Sequence, residues 1–225
     1  MSSTRFPRVV LFDLDGTLLD SAPDMLATVN RMRAARGQGP MLLADLRPHV
    51  SRGSRAMSAA AFPELDGEVS PAMVREFLDV YEQEIGNSSV LFDGVPALLD
   101  AIEADGARWG IITNKPEYLA KQVIPQLGWA SRCTVLLGGD SLAQRKPHPL
   151  PLLHAGEVLG ASIADCVYVG DDRRDIEAAR AAGMRSVVAL WGYRDEVEQP
   201  QAWGADAMAS SVHEMLQANF WQALR

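Results

Sequence analysis

Short apolar runs recur along this chain, and a segment with helical periodicity follows most of them. The predicted strands cover residues 8–12, 107–113, 133–137, 165–169, 185–190 and 206–209. The helices predicted in the same part of the chain cover residues 95–104, 117–127, 149–159, 172–182 and 212–218. A strand without polar alternation is buried on both faces, and such strands are joined by helices in parallel sheets. The alternation therefore predicts an α/β fold with a parallel sheet.

The stretch between residues 21 and 88 interrupts this alternation. It contains no convincing strand, and helical periodicity occurs at residues 25–35, 42–48, 55–62 and 72–85. Glycine, proline and asparagine separate these segments. We interpret residues 21–88 as a small α-helical cap, inserted into a discontinuous core formed by residues 1–20 and 89–225.

Charge and cysteine content restrict the classes of partner. A net charge of −8 argues against a nucleic-acid-binding protein, which usually has a basic face. No apolar run approaches the ~20 residues that span a bilayer, and the N-terminus lacks a secretory pattern. Two cysteines are too few for a disulfide framework, so we expect buried thiols and a cytoplasmic location.

The first predicted strand ends in two carboxylates, Asp13 and Asp15. Side chains two residues apart on an extended strand project to the same side, so both acids can reach one reacting centre. Gly16 permits a sharp turn, and Asp20 and Ser21 offer oxygens that could cap the following helix. Because paired acids in different environments can hold different protonation states, one can attack while the other moves protons.

Three further polar segments follow predicted strands. Thr113 and Asn114 lie before a predicted helix, where backbone N–H groups favour anions. Lys146 lies in a loop stiffened by prolines, and an acidic run occupies residues 171–175. Ligands bind beyond the carboxyl ends of parallel strands, so all of these segments are expected at one edge of the sheet.

This combination of groups suits phosphoryl transfer. Carboxylates alone would repel a phosphate, so a divalent cation is needed, and Mg²⁺ prefers hard oxygen ligands. Asp13 can then be the nucleophile that becomes an aspartyl-phosphate. Charge on the phosphoryl oxygens would be met by Lys146, Thr113 and backbone donors.

In this order, the four segments resemble the four motifs of the haloacid dehalogenase-like hydrolase superfamily. The matching residues are 13–17 (Asp-Leu-Asp-Gly-Thr), 113–114, 146 and 170–175. The helical insertion is similar to the small cap of that superfamily, so the resemblance covers nearly the whole chain and implies a Rossmann-like core. It also implies that Asp13 is the nucleophile. Asp15 would protonate the leaving oxygen and then deprotonate the attacking water.

The resemblance further implies a Mg²⁺ site and a phosphate site. The metal ligands would come from Asp13, Asp15 (through its backbone carbonyl) and Asp171. Asp175 and Asp172 would support the metal or the lysine, Asp172 less directly. The phosphate would be bound by Thr113, Asn114 and Lys146.

Two branches of the superfamily share features with this chain. Residues 20–23, 113–116 and 146–149 and the acidic run resemble phosphoglycolate phosphatases. Residues 51–57, 171–177 and 203–206 are similar to bacterial phosphatases that act on N-acetylmuramic acid 6-phosphate. Both substrates pair a phosphate with a carboxylate. In the cap, Arg52 and Arg55 could bind that carboxylate in a bidentate fork, or they could be a solvated surface pair.

Two other activities use some of the same residues. A phospho-accepting signalling domain also uses Asp, Thr, Lys and Mg²⁺, but it has no need of a second acid at Asp15 or of a cap. A sugar phosphomutase of the same superfamily would move phosphate within a sugar rather than to water. The expected partner is a small phosphorylated metabolite carrying a carboxylate, bound by a monomer or homodimer.

Overall fold

The computed structural model describes residues 5–195, 197–217 and 219–224. Within these residues the strands are β1 (Val9–Phe12), β2 (Leu19–Asp20), β3 (Val90–Leu91), β4 (Arg108–Ile112), β5 (Leu136–Leu137), β6 (Cys166–Gly170), β7 (Arg185–Ala189) and β8 (Ala207–Ala209). The α-helices are α1 (Ala22–Ala34), α2 (Leu43–Leu46), α3 (Ser54–Ala61), α4 (Pro71–Glu84), α5 (Val95–Ala104), α6 (Glu117–Gln126), α7 (Leu150–Leu159), α8 (Arg173–Ala182) and α9 (Val212–Met215). Residue 218, with which the last predicted helix ended, lies outside the described residues.

The core is a six-stranded sheet in the order β5-β4-β1-β6-β7-β8, and its strands pair in parallel. The predicted α/β class is therefore confirmed. The chain leaves β1 on one side for β4 and β5, then returns on the other side for β6. Such a reversal of strand order opens a crevice at the carboxyl ends of the central strands.

Alternate residues of β1 pack on opposite faces of the sheet. Val10 and Phe12 belong to an apolar cluster that contains buried side chains of α5. Val9 and Leu11 belong to a second cluster, which contains side chains of α7 and α8. All four side chains are buried, which explains why β1 has no polar alternation.

The third predicted strand, residues 133–137, is shorter than expected. Only Leu136 and Leu137 form ladder pairs with β4. Thr134 and Val135 still exchange single backbone hydrogen bonds with that strand. The side chain of Val135 lies against Gly110, where an added Cβ would be 2.4 Å from its Cγ1.

A short antiparallel pair, β2 with β3, joins the core to the helical insertion and was not predicted. The expectation that Asp20 and Ser21 cap the next helix is wrong. The Ser21 hydroxyl donates instead to Asp15 at 2.6 Å, and Asp20 pairs with Arg47 at 3.0 Å. Both side chains are used for tertiary contacts, and the first N–H of α1, that of Ala22, donates to the Tyr193 hydroxyl at 3.0 Å.

The helices predicted in the insertion are present as α1–α4, with α1 packed against α4. Asp24, fully buried in the first turn of α1, accepts hydrogen bonds from the backbone N–H groups of Gly86 (2.7 Å) and Ser88 (2.6 Å). This carboxylate therefore holds the two ends of the insertion together. The division at residues 21 and 88 stays a prediction.

The two cysteines are free thiols, Cys166 buried and Cys133 half-buried. Burial raises the pKa of each thiol to about 11, so both stay protonated near neutral pH. In the described part of the chain, no helix has the length and apolar character needed to cross a membrane.

Candidate active site

Asp13 lies directly beyond the central strand and contacts a buried lysine. The Lys146 ammonium is 3.1 Å from one Asp13 oxygen and 2.7 Å from one Asp175 oxygen. It also donates to the Tyr168 hydroxyl at 2.7 Å, and this hydroxyl donates to the Ile112 carbonyl at 2.6 Å. Lys146 is therefore fixed by the core alone, through partners on β4, β6 and α8.

Two of the carboxylates in this cluster, Asp13 and Asp175, contact the lysine, and the third, Asp171, lies beside them. Oxygens of Asp13, Asp171 and Asp175 lie within 4.8 Å of one another, and all three residues are buried. Burial, together with the charges of Asp13 and Asp175, raises the pKa of Asp171 well above its ordinary value. Burial also raises the pKa of Asp175, although Lys146 opposes the shift. The single Lys146 ammonium cannot neutralise three ionised carboxylates. The cluster would therefore be negatively charged, and a divalent cation would neutralise it.

The Asp171 carboxylate is held in one place by three hydrogen bonds. It accepts hydrogen bonds from the Thr17 hydroxyl (2.9 Å), the Ser51 hydroxyl (3.0 Å) and the Tyr193 N–H (2.9 Å). A Cβ on Gly16, which has a φ of 87°, would lie 2.4 Å from an Asp171 oxygen. A fixed group of carboxylate oxygens is the donor set that Mg²⁺ prefers, so these residues fit that ion.

Asp15 does not join this cluster through its side chain. Both of its oxygens contact the Lys115 ammonium, at 3.0 and 3.1 Å, and Ser21 donates to one of them. Lys115 in turn donates to the Tyr81 hydroxyl of α4 at 2.6 Å. The two neighbouring acids thus have separate environments, Asp13 with Lys146 and Asp15 with Lys115.

The sequence-based reasoning assigned no role to Lys115. A signal was available, because the chain has only three lysines among its 21 basic residues. Two of them, Lys115 and Lys146, lie in the loops after strands, and both are buried. The third, Lys121, is exposed and pairs with Glu117 on the same helix.

Thr113 and Asn114 follow β4 at the same edge of the sheet. Thr113 is buried, and its hydroxyl accepts from the backbone N–H of Lys115 at 3.2 Å. The Asn114 amide donates to the Lys146 carbonyl at 3.0 Å. Its Oδ1 is buried and has no hydrogen-bond partner among the described residues. These groups lie where phosphate-binding residues were predicted, and that role stays a prediction.

Asp172 has a structural part at the start of α8. It accepts from the Arg174 backbone N–H at 2.8 Å, while Asp175 accepts from the Asp172 N–H at 3.0 Å, which completes a capping box. The Arg174 guanidinium also contacts Asp172 at 2.7 Å. Burial would raise the pKa of Asp172, but these contacts with Arg174 outweigh it, and the pKa lies below its ordinary value. Of the two predicted supporting acids, Asp175 contacts the lysine and Asp172 holds the helix.

A cavity of about 400 Å³ lies between the sheet edge and the helical insertion. Its core side includes Asp13, Asp15, Thr113, Asn114 and Lys115. Its other side combines apolar and basic side chains from the insertion, among them Met57, Phe77, Leu78, Arg52 and Arg55. Arg145 and Arg174, to which no substrate role was assigned, line it as well.

The two predicted cap arginines have protein partners in this structure. Arg52 contacts Glu198 at 3.0 Å, and Arg55 donates to the Val69 carbonyl. Both still line the cavity, so a substrate carboxylate would have to compete with these contacts. Their role in binding stays a prediction.

Residues 10–189 match the family model described as haloacid dehalogenase-like hydrolase. A phosphoglycolate phosphatase of Xylella fastidiosa is 59% identical over 98% of this chain and 96% of its own length. An N-acetylmuramic acid 6-phosphate phosphatase of Pseudomonas aeruginosa is 42% identical over 93% of each chain. The crystal structure of a predicted phosphoglycolate phosphatase from Haemophilus somnus superposes with a TM-score of 0.83, at 26% identity over 96% of this chain and 98% of that one. With its parallel sheet and acidic cluster, this chain belongs to the haloacid dehalogenase-like hydrolase family.

Proposed function

We propose that this phosphoric monoester hydrolase cleaves 2-phosphoglycolate, through an aspartyl-phosphate formed on Asp13. The observation that carries the mechanism is the separation of two neighbouring acids, each held by its own buried lysine. Such a separation lets one acid act as nucleophile and the other as acid and base. The substrate rests on relatives that are 58–59% identical and are named phosphoglycolate phosphatases.

In the first half-reaction, an Asp13 oxygen attacks phosphorus and the ester P–O bond breaks. Asp15 gives its proton to the leaving oxygen. Lys146 orients the Asp13 carboxylate, and with Thr113 and Asn114 it faces the charge on the phosphoryl group. In the second half-reaction, Asp15 takes a proton from water as the water oxygen attacks phosphorus. The bond to Asp13 then breaks and inorganic phosphate leaves.

The metal would be held by Asp13, Asp171 and the backbone carbonyl of Asp15. Bound Mg²⁺ supplies positive charge to the phosphoryl oxygens and offsets the acidic cluster. Asp175 keeps Lys146 in place at 2.7 Å. Thr17 and Ser51 hold Asp171 by their hydroxyl groups.

A second substrate is favoured by the size and lining of the cavity. A cavity of ~150 Å³ can hold benzene, and cavities that bind drug-sized ligands begin near ~300 Å³. The cavity here, at about 400 Å³, is therefore large for the phosphate ester of a two-carbon acid. Met57, Phe77 and Leu78 give it an apolar wall, for which 2-phosphoglycolate has no methyl group. N-acetylmuramic acid 6-phosphate, the substrate in the name of the Pseudomonas aeruginosa relative, has methyl groups for that wall and a carboxylate for the arginines.

Initial rates of phosphate release decide between these substrates. The panel is 2-phosphoglycolate, N-acetylmuramic acid 6-phosphate and glucose 6-phosphate, each with Mg²⁺ and with EDTA. We expect kcat/KM for 2-phosphoglycolate to exceed that for glucose 6-phosphate at least about 10-fold, or about 1.4 kcal/mol, and to vanish in EDTA. A higher value for the muramic acid derivative would identify the second candidate as the substrate.

The same panel can exclude the proposed function. Equal rates on all three esters would contradict any carboxylate specificity. A stable phosphoprotein that releases no phosphate would indicate a phospho-accepting domain. An isomerised sugar phosphate without free phosphate would indicate a phosphomutase.

Mg²⁺ is expected to stabilise the protein without any substrate. At a free concentration 100 times its Kd, a bound ion adds about 2.7 kcal/mol to the free energy of unfolding. For a chain of this size that corresponds to a rise in Tm of roughly 5–10 °C. Asp171→Asn should remove most of that rise, because it removes a ligand from the cluster. Differential scanning calorimetry with and without Mg²⁺ measures it, and Asp93→Asn, at an almost fully exposed acid, is the matched control. An unchanged Tm in the wild-type protein would contradict the metal site.

Two further expectations stay predictions. The cytoplasmic location rests on the two free thiols. The expected state in solution is a monomer or a homodimer, and a measurement of mass in solution distinguishes the two.

A further inference from the structure

Lys115 connects the helical insertion to Asp15. Its ammonium group has three acceptors, the two Asp15 oxygens at 3.0 and 3.1 Å and the Tyr81 hydroxyl at 2.6 Å. An ammonium group has three N–H donors, so these contacts use its whole capacity. Lys115 and Tyr81 are both buried, at 7% and 2% exposure, which makes the contact a desolvated one.

The ring of Tyr81 strengthens the same contact. The Lys115 nitrogen lies 4.5 Å from the ring centroid, within the range of a cation–π interaction. Burial raises the pKa of Tyr81 to about 12, so the phenol stays neutral and its oxygen accepts from the ammonium. The ring also packs near that of Phe77, one turn earlier on α4, with 6.1 Å between centroids. Tyr81 is therefore held by the insertion and reaches the core.

Lys146, the second buried lysine of this site, differs from Lys115 in where its tyrosine partner lies. It also contacts a tyrosine hydroxyl and carboxylates, but its tyrosine, Tyr168, belongs to core strand β6. The position of Lys146 is thus set within the core. The position of Lys115 depends on where α4 lies, because Tyr81 belongs to that helix.

We propose that Lys115 and Tyr81 are positioning residues that make the orientation of Asp15 depend on the docking of the helical insertion. This inference rests on the proposed function, in which Asp15 is the general acid and base. With α4 docked, Lys115 holds both oxygens of Asp15 and Ser21 holds one of them. When α4 moves away, Lys115 loses one acceptor and Asp15 loses its fixed partner.

Alkyl and aryl phosphates differ in how much their cleavage depends on Asp15. An alkyl phosphate needs a proton from Asp15 as its P–O bond breaks, because an alkoxide is a poor leaving group. A p-nitrophenolate leaves without that proton. Misplacing a catalytic group by about 1 Å can cost ~10²-fold, so a misoriented Asp15 should slow the alkyl ester far more than the aryl ester.

Tyr81→Phe tests this, since it removes one hydroxyl and keeps the ring. We expect kcat/KM for the alkyl phosphate to fall about 10-fold or more, and kcat/KM for p-nitrophenyl phosphate to fall much less. Tyr118→Phe, at a partly exposed tyrosine on α6, is the matched control and should change neither value. Equal losses on both esters would indicate a merely structural role and overturn the proposal, as would no loss on either.

A second measurement does not depend on activity. Thermal unfolding of Lys115→Met, Asp15→Asn and the double variant forms a cycle. Asp15→Asn leaves the buried Lys115 ammonium unpaired, and Lys115→Met leaves the half-buried Asp15 carboxylate without its cation. Each single change should lower Tm by roughly 6 °C or more, and the double variant should fall no further than the larger single change. If the loss of Tm in the double variant equals the sum of the two single losses, Lys115 and Asp15 do not interact, and the proposal is overturned. If the wild-type protein hydrolyses neither ester, the proposed function fails, and the cycle still decides whether the contact exists.

Discussion

Asp13→Asn is expected to lower phosphate release by about 10⁴-fold or more, because an amide cannot take up the phosphoryl group. The fold should be kept. Asp13 is one of the two buried carboxylates that pair with Lys146, and Asp175 remains as the partner of that lysine. Removing one negative charge from the cluster relieves repulsion, so Tm should stay the same or rise.

This result is checked by single-turnover phosphate release and by trapping labelled phosphoprotein in acid. The wild-type protein should give a transient acid-stable label and Asp13→Asn none. Asp93→Asn, an exposed acid, should behave as the wild type in both assays. A rate within about 10-fold of the wild-type rate would exclude Asp13 as the nucleophile.

Lys146→Met should have the largest effect on stability. The substitution leaves the buried Asp13 and Asp175 carboxylates without their ammonium partner, and unpairing a buried charge costs about 3–5 kcal/mol. Phosphate release should also fall by at least about 10²-fold, since Asp13 loses the ammonium that orients its carboxylate. Mg²⁺ should recover part of the stability, and its effect on Tm should exceed that in the wild-type protein.

The free energy of unfolding is measured by urea denaturation with EDTA and with Mg²⁺. Lys121→Met, which removes an exposed lysine from the same chain, is the matched control. It should change the free energy by no more than about 0.5 kcal/mol. A loss of similar size in Lys146→Met would mean that the acids are not held by this lysine.

The sequence by itself was enough for the sheet, for the acids at its edge and for the helices of the insertion. Strands buried on both faces must be apolar throughout, and the amphipathic helices repeat every three or four residues. Both signals are local, so each segment carries its own evidence. The position of Asp13 followed for the same reason, because it comes directly after a buried strand.

Only the tertiary structure decided which partner each polar side chain has. Asp15 and Lys115 are 100 residues apart, and Lys115 and Tyr81 are 34 apart. Ser21 would serve locally as a helix cap but donates to Asp15. A local pattern records whether a side chain faces the core, yet a hydrogen bond or ion pair depends on distances between elements. Those distances are set by how the sheet and the insertion pack, which no single segment encodes.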